Sequence, residues 1–399
     1  LILKQVKLSG YSKETTLPIP ALAAHFLVRP DIAFLNHGSF GACPREVFEA
    51  YQRWQRELET QPVEFLGRRL TGLLAEARAV LAAYVGTDAN NLVFVPNATF
   101  GVNVVARSLK LQPGDEVLAT NHEYGAAERA WRFVCQTQEA RYLAQAIPLP
   151  VHEPEEIMEH LWAGVTERTR VIFISHITSP TALIFPVKEI CQRARAAGIF
   201  TVIDGAHAPG QIELDLDELG ADFYTGNCHK WLCAPKGSGF LYARPEHQAL
   251  LEPLVVSWGW ESLTPGPSPF IDYFDWLGTD DPAAYLAVPA AIAFQQKYAW
   301  PHVRAACRQL AQEARTQIQG LTGLPQLYPD TETWWGQMTA IPLPPCNPQE
   351  IGRRLWEEFQ VETPVFEWNG HFIIRVSIQA YNRPADVDRL LRGLKQLLP

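Results

Sequence analysis

The sequence predicts an α/β protein, with a large domain built on a mainly parallel sheet and a small C-terminal α+β domain behind it. Three observations predict it. Between Asn91 and Tyr242, short apolar runs alternate with helical patterns, the rhythm of strand–helix units that cover both faces of a parallel sheet. After about Pro245 the texture changes to a proline-interrupted loop and then long helical stretches. From Thr339 to Leu397 strands and helices mix again in a shorter unit. The expected boundaries are an N-terminal arm over residues 1–40, the large domain over 41–275, and a helical linker with the small domain over 276–399.

Residues 1–40 show little periodicity and lead into Phe34-Leu35-Asn36-His37-Gly38-Ser39-Phe40-Gly41. Two helical patterns follow. In the second, Phe65, Leu66, Leu70, Leu73, Leu74, Ala77, Val80, Leu81 and Tyr84 recur at helical spacing, with Gly86 placed as a stop. Strands are expected over Leu92–Val95, Glu116–Ala119, Arg141–Ala144, Arg170–Ser175, Phe200–Ile203, Asp222–Tyr224 and Gly239–Tyr242. Helices lie between most of them, such as Pro186–Ala197, closed by Gly198. Residues Leu263–Ile271, with three prolines, read as a loop. A long helix is expected around Ala283–Tyr298, and Pro301 starts another. The C-terminal unit reads as strands near Thr339–Ile341, Val361–Pro364 and Phe372–Val376 with helices Pro348–Phe359 and Pro384–Leu397.

Composition narrows the function. In 399 residues, 47% are hydrophobic and 19% charged, with a net charge of -9, a soluble globular balance that excludes global disorder. Lys and Arg number 34 against 43 Asp and Glu, with no basic stretch, which argues against a nucleic-acid partner. The best apolar run, Val171 to Val187, is broken by His176, Thr178, Ser179 and two prolines, so no membrane span is expected. Seven cysteines are scattered without a C-x-x-C pair, and neither a disulfide framework nor a metal site is expected. The N-terminal residues lack the basic-then-apolar layout of a secretory signal, and the cytoplasm is the expected compartment.

The chemistry concentrates in two segments, Thr201-Val202-Ile203-Asp204-Gly205-Ala206-His207-Ala208-Pro209 and Asn227-Cys228-His229-Lys230-Trp231. An acid at the carboxyl end of a buried parallel strand sits where α/β sheets place ligand-binding groups. A helix cap is an equal reading of Asp204 alone. Lysine is usually a surface residue; one enclosed by the apolar run after Lys230 would lose its charge readily, as an imine-forming amine must. Taken together they fit one job. Lys230 would form a Schiff base with an aldehyde cofactor, and Asp204 would face its pyridine nitrogen, the pyridoxal 5'-phosphate arrangement.

On these residues the chain resembles fold-type-I, aspartate aminotransferase-like enzymes of the class V aminotransferase family. Within it, the chain is similar to the isopenicillin N epimerase-like branch. The likeness runs from Asn36-His37-Gly38-Ser39-Phe40-Gly41 to Arg375-Val376-Ser377. It implies Lys230 as the Schiff-base lysine, Asp204 as the partner of the pyridine nitrogen, and His207 at the cofactor's phenolic oxygen. Asn97-Ala98-Thr99 matches the phosphate loop, where Ala98 and Thr99 would use helix-terminal N–H groups and a hydroxyl. Tyr124 matches the aromatic that stacks on the ring, with His122 as rival if the alignment slips by two. Ser179 falls near the phenolic oxygen or the substrate. Either Asn227 or Thr225 would take the place of a phosphate-binding serine. Thr279 resembles a residue that reaches the neighbouring subunit's phosphate, which implies a homodimer with shared sites. Arg375 matches the substrate-carboxylate arginine, and Asn36 belongs with the substrate site.

The resemblance implies an amino-acid substrate and leaves the outcome open. Lys230 would move the α-proton. Epimerisation or racemisation also needs proton delivery to the opposite face, for which Tyr124 is a candidate. Elimination by a C–S lyase needs little beyond Lys230, and transamination needs a second substrate. Cysteine desulfuration is disfavoured, because residues Asn347 to Arg375, where relatives carry a mobile cysteine, hold none. Trp258, Trp260, Trp276, Trp334 and Trp335 are read as core or interface ahead of a pocket lining. A silent binding module on the same fold is the reading from another class.

Overall fold

The structure is a computed structural model that describes Ile19 to Leu398; residues 1–18, the first part of the expected arm, and Pro399 lie outside the described residues. The described remainder of that segment packs on its own chain. Leu22, Phe26, Ala33 and Leu35 are buried, and β1 (Ala33–Phe34) pairs in parallel with Val361–Glu362. A two-residue strand has no period to read, which is why the sequence pattern missed it.

Seven strands build the central sheet: β2 (Leu92–Val95), β3 (Glu116–Thr120), β4 (Arg141–Gln145), β5 (Thr169–Ser175), β6 (Phe200–Gly205), β7 (Phe223–Asn227) and β8 (Gly239–Ala243). Their order is β2-β8-β7-β6-β5-β3-β4. Only β8 runs against its neighbours. Every residue of β2, β3, β7 and β8 is buried, because helices cover both faces and leave no solvent side for polar alternation. The carboxyl ends of β2, β3, β5, β6 and β7 therefore share one edge of the sheet, where α/β proteins hold ligands.

A second sheet, ordered β11-β12-β9, joins β9 (Met338–Leu343), β11 (Val365–Trp368) and β12 (His371–Ser377), all antiparallel. The expected strand Val361–Pro364 is divided: β10 (Val361–Glu362) serves β1, and the chain turns at Thr363-Pro364 before β11. Proline cannot donate to a ladder, so the break falls there. The expected helix Ala283–Tyr298 is also two pieces, Ala283–Leu286 and Val288–Lys297, with Pro289 in the first turn of the second, where its missing N–H is tolerated. The loop Leu263–Ile271 ends early, since Ser268 caps a helix Pro269–Asp275 through Ile271 N–H. Gly86 closes its helix in the left-handed conformation, as the pattern predicts.

One glycine sets the sheet edge. In the helix Ala98–Ser108, a Cβ on Gly101 would lie 2.2 Å from Thr225 Oγ1 on β7, so the helix rests on the sheet only without a side chain there. Gly101→Ala is expected to destabilise the protein by about 1–3 kcal/mol, the cost of overpacking a filled core. A denaturant midpoint left unchanged would refute that close approach.

Candidate active site

The segments at the carboxyl ends of β2, β3, β5, β6 and β7 deliver side chains to one cavity of about 230 Å³, which Lys230 and Asp204 both line. A larger chamber of about 740 Å³, apolar and lined by Leu27, Phe34 and Trp356 among others, adjoins it at Phe40 and contains neither group. The smaller cavity is the candidate site because the titratable groups converge there.

Asp204 is the last but one residue of β6 and is 4% exposed. Its Oδ1 accepts the Ala206 N–H at 2.9 Å. Burial raises its pKa, while that N–H and the charge of Lys230 pull it back down. Lys230 follows β7 in a short loop whose backbone is pinned. His37 donates from Nε2 to the Lys230 carbonyl at 3.0 Å, and its Nδ1 accepts from the Tyr381 hydroxyl at 3.0 Å. Gly41, at φ +71°, packs so closely that a Cβ would meet His229 O at 2.0 Å. Burial lowers the Lys230 amine to about 8, with Asp204 opposing and Arg375 assisting. Its Nζ lies 3.2 Å from His207 Nε2, and His207 Nδ1 accepts the Trp231 indole N–H, also at 3.2 Å. Burial holds His207 well below the usual histidine range.

The end of β2 feeds the helix Ala98–Ser108. Asn97 caps it by accepting Phe100 N–H at 2.9 Å, and Asn227 Oδ1 accepts Ala98 N–H at 2.8 Å. Thr99 N–H has no partner among the described residues, and Thr99 lines the cavity. A helix N-terminus with a spare N–H is an anion site by construction. The capping and anion readings of this loop therefore coexist, and Ala98 contributes its position while its N–H is engaged by Asn227.

Of the two alternatives on β7, Asn227 lines the cavity and Thr225 does not. Thr225 is 1% exposed beneath Gly101 and donates its hydroxyl to Phe240 O at 2.9 Å. Strand alternation puts both residues on one face, and the helix decides between them, since Gly101 seats on Thr225 while Asn227 stays on the cavity wall. Tyr124 lines the cavity and is 48% exposed. The rival His122 is buried, with its ring nitrogens on Thr181 Oγ1 at 2.7 Å and Ile147 O at 2.9 Å and its ring against Trp368.

Arg375 stands behind the lining. Its Nη1 donates to Ser179 O at 2.6 Å and to Ser179 Oγ at 3.2 Å, and its Nη2 donates to Ser39 Oγ at 3.1 Å. Its Nε is buried without a partner. Ser39 in turn donates to Asn36 Oδ1 at 2.6 Å, and Asn36 Nδ2 donates to Glu362. Asn36 thus lies one hydrogen bond back from the cavity and lines the larger chamber instead. Thr279 is exposed on a segment whose neighbour Gly278 borders a different small cavity, away from this one. None of Trp258, Trp260, Trp276, Trp334 and Trp335 lines the site; Trp334 and Trp335 are core and Trp258 is 81% exposed.

Sequence reasoning overlooked Ser39, Phe40 and Ser175 on the wall, the pinning of Lys230 by His37, and the Trp231 contact. It also passed over Glu123, whose carboxylate accepts from Thr120 and Ser175 hydroxyls and which burial raises to about 7. A polar residue closing an apolar strand, as Ser175 does, was the available signal for the wall. Nothing local marks the others.

The cavity offers one amine that sheds its proton easily, one buried carboxylate and a helix N-terminus with a free N–H, and behind its wall, held by Ser39 and Ser179, stands a guanidinium with an unused donor. That set fits an aldehyde bearing a pyridine ring and a phosphate, with a carboxylate ligand beside it. The residues available to hold it are Lys230, Asp204, His207, Thr99, Asn227 and Tyr124.

Comparison with known proteins agrees with the fold and gives the family. The Aminotransferase class-V family profile matches residues 39–390. Isopenicillin N epimerase of Streptomyces clavuligerus is 37% identical over 382 residues, 93% of this chain and 96% of that one. A probable chloroplastic L-cysteine desulfhydrase of Arabidopsis thaliana is 26% identical, over 92% of this chain and 83% of its own length. Among solved structures, the cysteine desulfurase CsdA of Escherichia coli superposes with a TM-score of 0.79 at 21% identity, covering 96% of this chain and 98% of its own.

Proposed function

The chain belongs to the aminotransferase class-V family, whose cofactor is pyridoxal 5'-phosphate, and on that premise we propose that it is an epimerase or racemase acting at the Cα of an amino acid. When bound, the cofactor supplies an aldehyde that a primary amine captures and an electron-poor ring that takes up charge from Cα. One observation carries the reading: Lys230 and Tyr124, two proton-bearing side chains, both open onto the cavity. Inverting a stereocentre requires a proton to leave and another to arrive, and two such groups suit it.

The remaining residues have separate duties. Lys230, low in pKa, would serve as the base that takes the α-proton and the acid that returns one. Asp204 would hold a proton at the ring nitrogen. Thr99 and Asn227 would bind the phosphate, and His207 would serve the phenolic oxygen. Arg375, whose Nη atoms are held by Ser39 and Ser179, would bind the substrate carboxylate. A second copy would complete the site through Thr279, for which exposed Val256, Trp258 and Leu263 offer a contact surface. No helix among the described residues is long and apolar enough to cross a membrane, and a cytoplasmic setting fits.

β-Elimination is the second reading, favoured by the desulfhydrase-named relative and by its smaller demand on the site. Persulfide chemistry is less favoured, because no cysteine is among the residues lining the cavity.

The deciding experiment incubates the loaded enzyme with a panel of amino acids in deuterated water. Epimerisation gives Cα-deuterated amino acid of both configurations without keto acid. Pyruvate with ammonia would replace that reading by a lyase, consumption of an added keto acid by a transaminase, and no exchange at all by a silent module. Tyr124→Phe is expected to slow inversion by about 10²–10⁴-fold, the usual worth of an acid–base group, while exchange with retention persists. Equal inversion in Tyr124→Phe would remove Tyr124 from the role.

A further inference from the structure

We propose that Trp231 is a positioning residue that locks His207 in the tautomer protonated at Nε2, and that this lock keeps Lys230 as a neutral, nucleophilic amine. The inference rests on the proposed function only in naming Lys230 as the nucleophile.

The indole N–H can only donate. It is aimed at His207 Nδ1 at 3.2 Å, and Trp231 is fully buried, so no water competes for that nitrogen. Nδ1 must then be the acceptor, and a neutral ring carries its one proton on Nε2. Burial keeps the ring neutral. Nε2 faces Lys230 Nζ at 3.2 Å. An N–H on that side points a hydrogen at the lysine nitrogen, which can accept it only as a free amine with a lone pair. The ammonium form has three hydrogens and no acceptor, so protonating Lys230 would set two donors against each other. The tautomer thus acts in the same direction as burial.

Other groups face the amine from every packed element. Asp204 on β6 attracts the charged form, while Arg375 on β12 repels it. His229 and His37 are neutral through burial, and Tyr124 stands on the cavity wall. None of them selects a hydrogen-bond polarity at Nζ; His207 does. Trp231 itself is fixed independently, since its carbonyl accepts Gln295 Nε2 at 2.9 Å and its ring lies 5.0 Å from that of His37.

Two measurements on the full chain freed of cofactor test this. The first is ¹⁵N NMR of histidine-labelled protein, with the His207 signals assigned by their loss in His207→Gln. The expected result is a directly bonded proton on Nε2 and a bare, hydrogen-bonded Nδ1; a proton on Nδ1 overturns the proposal. The second is the pH profile of reductive methylation at Lys230 by formaldehyde and cyanoborohydride, read by peptide mass. Wild type is expected to show a midpoint near 8. Trp231→Phe frees His207 to accept from the ammonium, and the midpoint should rise by about one pH unit, the worth of a hydrogen bond to a charged group. A midpoint that stays in place in a folded Trp231→Phe also overturns it. If that variant does not fold, the wild-type tautomer decides alone. Neither readout involves the cofactor, so failure here leaves the proposed function standing, and failure of the proposed function leaves this result standing.

Discussion

Lys230→Ala is expected to abolish covalent attachment of the cofactor and to reduce turnover by at least about 10²–10⁴-fold, the range for losing one acid–base group. Borohydride trapping followed by peptide mass would show no adduct, and the visible band of the loaded enzyme would be gone. Lys236 offers no substitute. Its Nζ is committed to Gly41 O at 2.9 Å, and it lines the larger chamber. An adduct surviving on Lys236, or undiminished turnover, would overturn the assignment of Lys230. The same variant has a stability signature. The folded-state pKa of Lys230 lies near 8, below its ordinary 10.5, so between those values the unfolded chain binds more protons. Stability of the unloaded wild type must therefore rise with pH from about 8 to 10.5 through this group. That gain should be missing in Lys230→Ala, which at neutral pH should be at least as stable as wild type.

The fold was legible wherever burial left a local trace. Strands β2, β3, β7 and β8, buried along their whole length, announced themselves as short, largely apolar runs, while the edge strand β4 is partly exposed. Asp204 and Lys230 were conspicuous for a related reason: Asp204 closes an apolar strand and Lys230 stands just before an apolar run. What remained hidden is non-local. Arg375 meets Ser179 and Ser39 across 196 and 336 residues of chain, and no period in β12 encodes those partners. Thr225 and Asn227 alternate identically along β7, and only the seating of Gly101 separates them. His122 reads like a cofactor-stacking residue until Thr181 and Ile147 occupy both its nitrogens. Trp231 looked like one more core tryptophan, and its indole N–H acquires meaning only from the histidine it meets.

Asp204→Asn separates the role proposed for the carboxylate at the cofactor from its effect on Lys230. With no negative charge to keep a proton on the ring nitrogen, the ring takes up charge from Cα poorly, and α-deuterium exchange in the loaded enzyme should fall by at least about 10²-fold, the low end for such a group. Folding should survive, since burial already raises the Asp204 pKa and an amide is cheaper to desolvate than a carboxylate. The unloaded protein gives the sharper result. Asp204 is the group that favours the charged form of Lys230, against burial and Arg375. Removing its charge should therefore shift the methylation midpoint of Lys230 below about 8, opposite in sign to the shift expected for Trp231→Phe. The two perturbations act through different contacts, one through charge across the cavity and the other through a proton on His207. In the double variant their shifts should offset one another, within the coupling expected of neighbouring sites. A midpoint in Asp204→Asn that rises or stays fixed would mean that the carboxylate and the amine do not sense each other, and a single heterocycle could not be held between them.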